Sequence, residues 1–344
     1  MSNKHYIIPI FISHIGCPHQ CVFCNQDKIA KEVEEEVKAE DVRNTIDEYL
    51  KTIDSKNSTV EVSFFGGTFT AIDVNKQKEL LAVAKEYKEK KLIHKIRMST
   101  RPDAINRYIL DYLKEFTVDI IELGVQSLDD EVLRLSGRGH SAEDVRVASK
   151  LIKEYGITLG HQIMPGLPGD DFNKDIETAR KSIEMKPDIC RIYPSLVIKE
   201  TPMAKMHKRG EYIPYTLEEA VEVSKEIYKL YNNASVNIIR VGLQPTENIT
   251  LGKDVIDGPF HPAFRELVEG SLLCDNIKDS IADNKDIIIE INPKDISKLY
   301  ANKKYYYNKL IEKHNGKIIV RQMEKQKRGK VKVIVTEKII DVKL

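Results

Sequence analysis

Short β-rich runs alternate with charged segments along the first part of the chain: YIIPIFI (6–12), TVEVSFF (59–65), HKIRMS (94–99), VDIIELGV (118–125), ITLGHQIM (157–164) and DICRIYPSLV (188–197). Between them, stretches such as VNKQKELLAVAKEYKEKK and SAEDVRVASKLIKEYG space their apolar residues as an amphipathic helix does. The pattern predicts six βα units. Short parallel strands joined by crossover helices form either an open doubly wound sheet or a barrel, and both place their chemistry at the C-terminal strand ends. Further on, VNIIRVGLQPTENI reads as a seventh strand or an edge that seals the barrel, and GPFHPAFRELVEG as a Pro-marked turn opening a short helix. From Asp286 the pattern becomes a strand (DIIIEIN), a helix over 294–314 and two strands in GKIIVRQMEKQKRGKVKVIVTEKIIDVKL, expected to turn as a hairpin near 325–330.

The residues just beyond the runs are chemically marked. Cys17, Cys21 and Cys24 follow the first; Gly66, Gly67, Thr68 and Phe69 the second; Ser99 to Asp103 the third; Gln126 and Ser127 the fourth; Pro165 to Gly169 the fifth. Packing does not explain a set of marked loops at one edge. Three thiolates are one short of a closed structural zinc site, whereas an iron-sulfur cluster held by three cysteines leaves one iron open to a ligand. The alternatives are a zinc knuckle completed by His14 or His19, or three unrelated core thiols; no second Cys or His pair lies at finger spacing. Paired glycines let a ligand approach the backbone, as a bound zwitterion requires, although Gly66-Gly67 also suits an ordinary turn. Arg101 suits a carboxylate ligand or a surface ion pair. Glu122 and Gln126 share one strand face, where a buried carboxylate requires a partner. His140 reads as a helix-entry or positioning residue, and Cys190 and Cys274 as packed small apolar side chains.

Cys17, Cys21 and Cys24, with an aromatic residue before the third cysteine and GGTF after the next strand, resemble the radical S-adenosylmethionine (SAM) superfamily. More narrowly, STRPD, ELGVQS, SGRGHSAEDV, HQIMPGLPGDD and RIYPSLVIKETPMAKMHKRGEYIPYTLEEAV resemble the radical domain of the catalytic subunit of Elongator, which modifies the wobble uridine of tRNA. The resemblance covers residues 7–225. The first two cysteines are closer together than in that family, and no acetyltransferase-sized region follows Leu243, so the Elongator carbon donor is not carried over. The implied fold is α/β, a partial (β/α)6 TIM-like barrel with a small α+β C-terminal domain. The expected division is a core barrel over 1–245, a linker and helix extension over 246–285 and a basic module over 286–344. The resemblance further implies that Cys17, Cys21 and Cys24 hold a 4Fe-4S cluster whose remaining iron takes the amino and carboxylate groups of SAM. Gly66 and Gly67, with Thr68 beside them, then meet the amino group, Ser99 and Arg101 the carboxylate or ribose, and Gln126 the ribose hydroxyls. Phe23 and the edge from Ile163 to Pro165 flank adenine, and Tyr193, Lys199, Tyr212 and Tyr215 are candidates on the substrate side. RNA, specifically tRNA, is the implied substrate, with a low-potential electron donor such as flavodoxin or ferredoxin.

Composition sets the outer bounds. With 344 residues, 41% of them hydrophobic, the chain supports one large core and a smaller satellite. It has no 18-residue apolar stretch and no signal-peptide pattern, so a cytoplasmic protein without a membrane partner is expected. Five cysteines, three of them clustered, do not form a secreted disulfide framework. The net charge of +1 hides an asymmetry: residues 287–344 carry 15 Lys and Arg against 6 Asp and Glu, leaving 39 against 47 in the rest. A basic tail behind an acidic body suits a polyanionic partner or a solvated lysine-rich surface. The tail resembles a KH-type RNA-binding unit without its Gly-x-x-Gly loop, and KKYYYNKL suits phosphate contacts and base stacking. Three classes follow: a radical SAM enzyme acting on tRNA or other RNA, a porphyrinogen-oxidase-like radical SAM enzyme for a small molecule, and a non-enzymatic cluster- or zinc-stabilised RNA-binding protein. The tail separates the first from the second, and the full set of marked loops argues against the third.

Overall fold

The computed structural model describes residues 4–12, 17–25, 37–281, 285–335 and 338–343; His14 lies outside them. Seven strands form one parallel sheet: β1 (Lys4–Ile12), β2 (Ser58–Gly66), β3 (Lys95–Thr100), β4 (Ile120–Gln126), β5 (Thr158–Ile163), β6 (Ile189–Ile192) and, after a short β7 (Val197–Ile198) outside this sheet, β8 (Asn237–Val241). Their order is β1-β2-β3-β4-β5-β6-β8. That order decides between the two architectures the pattern allowed. Right-handed crossovers that all step the same way collect the helices on one face, and the sheet curls round the other as a half-barrel.

The strand positions facing the helices make the core: Ile8, Val60, Val62, Phe64, Ile96, Met98, Ile121, Leu123 and Leu159 are fully buried. The helices begin where the sequence supplies caps. Asp73, Asn106, Asp129, Ser141 and Asp171 each accept from a first-turn backbone N–H of α2 (Val74–Glu89), α3 (Arg107–Glu115), α4 (Asp130–Leu135), α5 (Ala142–Glu154) and α6 (Phe172–Glu184), the helices after α1 (Ala39–Leu50). Such caps contribute about 1 kcal/mol each. The run over 188–197 is not one strand. Pro194 cannot donate to a ladder, so β6 stops at Ile192 and β7 instead pairs antiparallel with β9 (Val255–Asp257). The segment read as a seventh strand or sealing edge is β8, the seventh strand of the sheet.

The chain divides into two compact units, residues 1–215 with 229–260 and residues 216–228 with 261–344. After α7 (Pro202–Lys208) and α8 (Leu217–Asn233), the second unit contains α9 (Phe264–Ser280), β10 (Ile287–Ile291), α10 (Ile296–Leu299), α11 (Ala301–Glu312), β11 (Ile318–Gln322), β12 (Lys330–Val335) and β13 (Lys338–Lys343). Its core joins Leu273, Cys274 and Ile277 of α9 to Ile287, Ile289, Ile291, Leu310, Val331 and Val333. Two expectations are corrected here. The helix over 294–314 is interrupted, because Asn302, Lys303 and Lys304 have left-handed backbone with φ of 51°, 51° and 69°. Residues 325–330 are not a hairpin turn, because the strand order is β11-β10-β12-β13 and the segment passes across the end of β10. The reason is burial: β10 is isoleucine at four of five positions and takes a central place, whereas β11 ends on exposed Arg321 and Gln322 and suits an edge. Among the described residues no helix is long and apolar enough to cross a membrane.

Candidate active site at the C-terminal strand edge

Cys17, Cys21 and Cys24 follow β1 and form no disulfide. Cys17 Sγ lies 3.2 Å from Thr68 Oγ1 in the loop after β2, and buried Cys21 Sγ accepts from Arg138 Nη1 at 3.3 Å. The loop is seated on the segment after α4. The Val22 N–H donates to the Ser136 carbonyl at 3.0 Å. Gly139 has φ +72°, and a Cβ there would lie 2.4 Å from the His19 ring. His19, the described alternative for a zinc ligand, has Nε2 3.9 Å from Asp103 Oδ2. Among the described residues no three His, Cys, Asp or Glu side chains gather closely enough to hold one metal ion. In a polynuclear cluster each of three thiolates on one loop takes its own iron, whereas a closed structural zinc site requires a fourth ligand.

Arg138 is the charged group beside these thiols. It is buried, desolvation works against its charge, and Nη2 donates to the Gly124 carbonyl at 2.5 Å. Arg101, expected at a cofactor carboxylate, spends its fork on Asp103 at 2.9 and 3.0 Å and also donates to the Arg138 carbonyl. Its place is therefore that of a clamp on the segment that carries Arg138. His140 donates from Nε2 to the Val125 carbonyl at 3.2 Å, and burial pulls its pKa down to about 3, so it stays neutral and positions the end of β4.

The other marked loops stand at the same edge. At Gly66, φ is +109° and a Cβ would meet the Ile12 carbonyl oxygen at 2.2 Å; the Gly67 N–H donates to that oxygen at 3.1 Å. The close approach of β1 is thus what requires glycine. Ser99 is half-buried and level with Glu122 across the β3–β4 pair. Gln126 has φ +67° at a register shift in β4, and its Oε1 accepts from Gln162 Nε2 at 3.4 Å. A left-handed non-glycine costs roughly 1 kcal/mol or more and persists where its surroundings hold it. Ile163 and Pro165 are buried at the end of β5. Phe23 and Val22 pack against Val197, Met203 and Tyr212.

Of the substrate-side candidates, Tyr193 faces the barrel interior, its hydroxyl accepting from Arg191 Nη1 at 2.9 Å. Tyr212 and Tyr215 are placed otherwise. The Tyr212 hydroxyl donates to the Gly166 carbonyl at 2.6 Å, and Tyr215 donates to Asp175 Oδ2 at 2.9 Å, while Asp175 Oδ1 accepts the Gly166 N–H at 3.3 Å. Burial pushes the Tyr212 pKa up to about 12. Both tyrosines brace the 165–169 loop, a positioning role that their sequence position did not disclose. Lys199 joins the neighbouring segments through its backbone, donating to the Asp254 carbonyl at 2.9 Å and accepting from Asn25 Nδ2 at 3.2 Å.

The interior face of the sheet holds an ion network. Glu61 Oε1 pairs with Arg97 Nη1 at 3.0 Å, Arg97 with Glu122, and Glu122 Oε1 with Arg191 Nε at 2.5 Å; Ser63 Oγ also donates to Glu61 at 2.6 Å. Glu61, Arg97 and Glu122 are each 3% exposed or less, so their charges are offset within the network, by one another and by Arg191, rather than by water. The partner that a buried Glu122 requires is therefore a pair of arginines from β3 and β6. Arg97, Arg138 and Arg191 were not singled out from the sequence. The signal for two of them was a charge in mid-strand at the same alternation as Glu122, where a parallel sheet with both faces covered carries aliphatic residues.

Residues 11–181 match the Radical SAM superfamily and residues 187–273 the Radical_SAM C-terminal domain. The chain belongs to the radical SAM superfamily and is a radical SAM enzyme. Among curated relatives, the tRNA uridine(34) acetyltransferase of Methanocaldococcus infernus is 30% identical over 255 residues, 63% of this chain and 48% of the relative. An uncharacterised protein of Methanocaldococcus jannaschii is 30% identical over 231 residues, 64% of this chain and 70% of the relative. Human Elongator complex protein 3 is 30% identical over 204 residues, 53% and 37% of the two chains. The chain spans about half the length or less of the tRNA-modifying relatives it matches. The solved structure of the archaeal Methanocaldococcus infernus Elp3 with an N-terminal deletion gives a TM-score of 0.61 at 25% identity, covering 78% of this chain and 62% of that one.

Proposed function

We propose that this enzyme binds a 4Fe-4S cluster and SAM and modifies an RNA, tRNA being the substrate class named for its relatives. The observation that carries the reading is the loop of three cysteines, none in a disulfide, seated beside a buried arginine at the strand edge. When bound, the cluster and SAM supply a 5′-deoxyadenosyl radical that takes hydrogen from the substrate. Cys17, Cys21 and Cys24 hold the cluster, reduced by a low-potential donor such as flavodoxin or ferredoxin. Arg138, clamped by Arg101, meets the carboxylate of SAM; Gly66, Gly67 and Thr68 lie at its amino group, Ser99 and Gln126 at the ribose. Phe23, Ile163 and Pro165 supply apolar walls for adenine, Pro165 on a loop that Tyr212 and Tyr215 hold still. Tyr193 and Lys199 remain on the substrate side. Arg138→Gln is expected to weaken SAM binding about tenfold or more, and Arg101→Lys, which keeps charge but loses the fork, by less, in anaerobic calorimetry on cluster-loaded protein. Parent-like binding by Arg138→Gln would remove Arg138 from the site.

The core barrel over 1–245 and a basic module over 286–344 divide the work in this reading, the module delivering RNA to the barrel. Lys325 and Lys327 are exposed on the connection between β11 and β12. That connection is pinned by Asn292 Nδ2, which donates to the Glu324 and Gln326 carbonyls at 3.3 and 2.8 Å, and by Asp295, which accepts the Gly329 N–H at 2.9 Å. Arg328 is itself 3.7 Å from Asp295, so it belongs to the loop's own structure. The tyrosines of KKYYYNKL do not form a stacking platform. Tyr307 is buried, Tyr306 packs on the core, and Lys309 covers Tyr305 at 4.3 Å. Reversing Lys325 and Lys327 to Glu is expected to weaken tRNA binding about tenfold and to flatten its salt dependence, with iron content unchanged. The function itself is tested by anaerobic reconstitution followed by assay of 5′-deoxyadenosine release with and without total tRNA. Stimulation by tRNA supports the reading; release that ignores tRNA moves it to a small-molecule substrate.

A further inference from the structure

The interior face of the half-barrel carries groups that the ion network leaves over. Phe11, Phe65, Arg191 and Arg240 are each the penultimate residue of β1, β2, β6 and β8, one layer below the edge that bears the cysteine loop. Phe11 is 45% exposed, and its ring centroid lies 6.3 Å from that of Phe65, its register partner, at 40°. The Arg191 guanidinium sits 5.8 Å from the Phe65 centroid, and its charge is met by Glu122. Arg240 is in register with Arg191 and half-buried, and among the described residues its guanidinium has no hydrogen-bond or ion-pair partner. Exposed Phe11, half-buried Phe65 beside it and an uncompensated guanidinium in one layer form a recognition set for a nucleotide, the ring faces taking a base and the cation a phosphate.

We infer that this layer seats one nucleotide of the RNA substrate, swung out of its stack, with the base on Phe11 and Phe65 and its phosphate on Arg240. The inference rests on the RNA reading above and adds to it the contact residues. Enzymes that act on a base must present it unstacked, and this layer adjoins the loop that carries the thiols. The test uses full-length, cluster-loaded protein and three probes: a short single-stranded uridine-containing oligoribonucleotide, the same oligomer with an abasic site, and uridine monophosphate. Phe11→Ala is expected to weaken the intact oligomer about tenfold and to leave the abasic one unchanged, with Phe11→Tyr binding like the parent. Arg240→Gln is expected to weaken both oligomers severalfold, with partial recovery in Arg240→Lys. Both positions are solvent-accessible, and melting curves matching the parent separate lost contacts from lost fold. Parent-like binding by Phe11→Ala and Arg240→Gln overturns the seat while leaving the RNA reading in place. Binding of the mononucleotide alone, lost in the same variants, keeps the seat and overturns the RNA reading; binding of no probe by the parent overturns both.

Discussion

Replacing any one of Cys17, Cys21 or Cys24 by Ala is expected to abolish the visible absorbance of the cluster and all cleavage of SAM, the largest functional effect any single change in this chain should have. A cluster on three thiolates has no spare ligand to lose, and the described surroundings offer no replacement: His19 is directed to Asp103 and Gly139. The three variants should differ in stability. Cys17 and Cys24 are half-buried, so their loss should leave the fold intact, whereas Cys21 is buried against Arg138, and removing its sulfur leaves a buried guanidinium short of an acceptor. Cys190→Ala and Cys274→Ala should keep the iron content of the parent. Cys190 is fully buried on the helix side of the sheet, Cys274 belongs to the core of the second unit, and burial pushes both thiols up, the latter to about 12. Iron and sulfide analysis with electron paramagnetic resonance checks the set. Stoichiometric zinc without iron in anaerobically purified protein would refute the cluster.

Glu122→Ala is expected to cost about 3–5 kcal/mol of stability in the barrel, because it leaves buried Arg97 and half-buried Arg191 with one acceptor fewer each. Glu122→Gln should cost less, since an amide oxygen still accepts from one of them. The carboxylate is held from below by Gly160, where a Cβ would lie 2.5 Å from Glu122 Cγ, so Gly160→Ala should reproduce part of the loss by displacing the same side chain. Chemical denaturation monitored in the apo-protein separates this effect from cluster binding. A loss below about 1 kcal/mol for Glu122→Ala would mean that the network is screened by solvent and that the interior is wetter than its burial implies.

The alternation of apolar runs and amphipathic segments was enough to determine the βα repetition, and the residues after each run were enough to mark the edge where the chemistry lies. Both are local: strand and helix periods, caps such as Asp73 and Ser141, and a cysteine loop all act within a few residues of themselves. What the apolar pattern left open, and the family resemblance alone answered in favour of a partial barrel, was whether the sheet is doubly wound or curled, because that depends on the order in which strands pair, a long-range choice that the assembled helix layer decides. The same holds inside the site. Arg101 and Arg138 are indistinguishable as letters, and only packing shows the first paired with Asp103 and the second with Cys21 and the Gly124 carbonyl. The Tyr212 hydroxyl meets the Gly166 carbonyl and the Tyr215 hydroxyl meets Asp175, contacts that no local pattern in the sequence records. Arg97, Glu122 and Arg191 lie far apart in the chain, and their charges become affordable in the interior only because the curl of the sheet brings three strands' side chains within hydrogen-bond reach. The sequence by itself determined the elements and the chemically marked edge. The tertiary structure decided which of the marked groups are already occupied, since a side chain's availability depends on neighbours that no local pattern records.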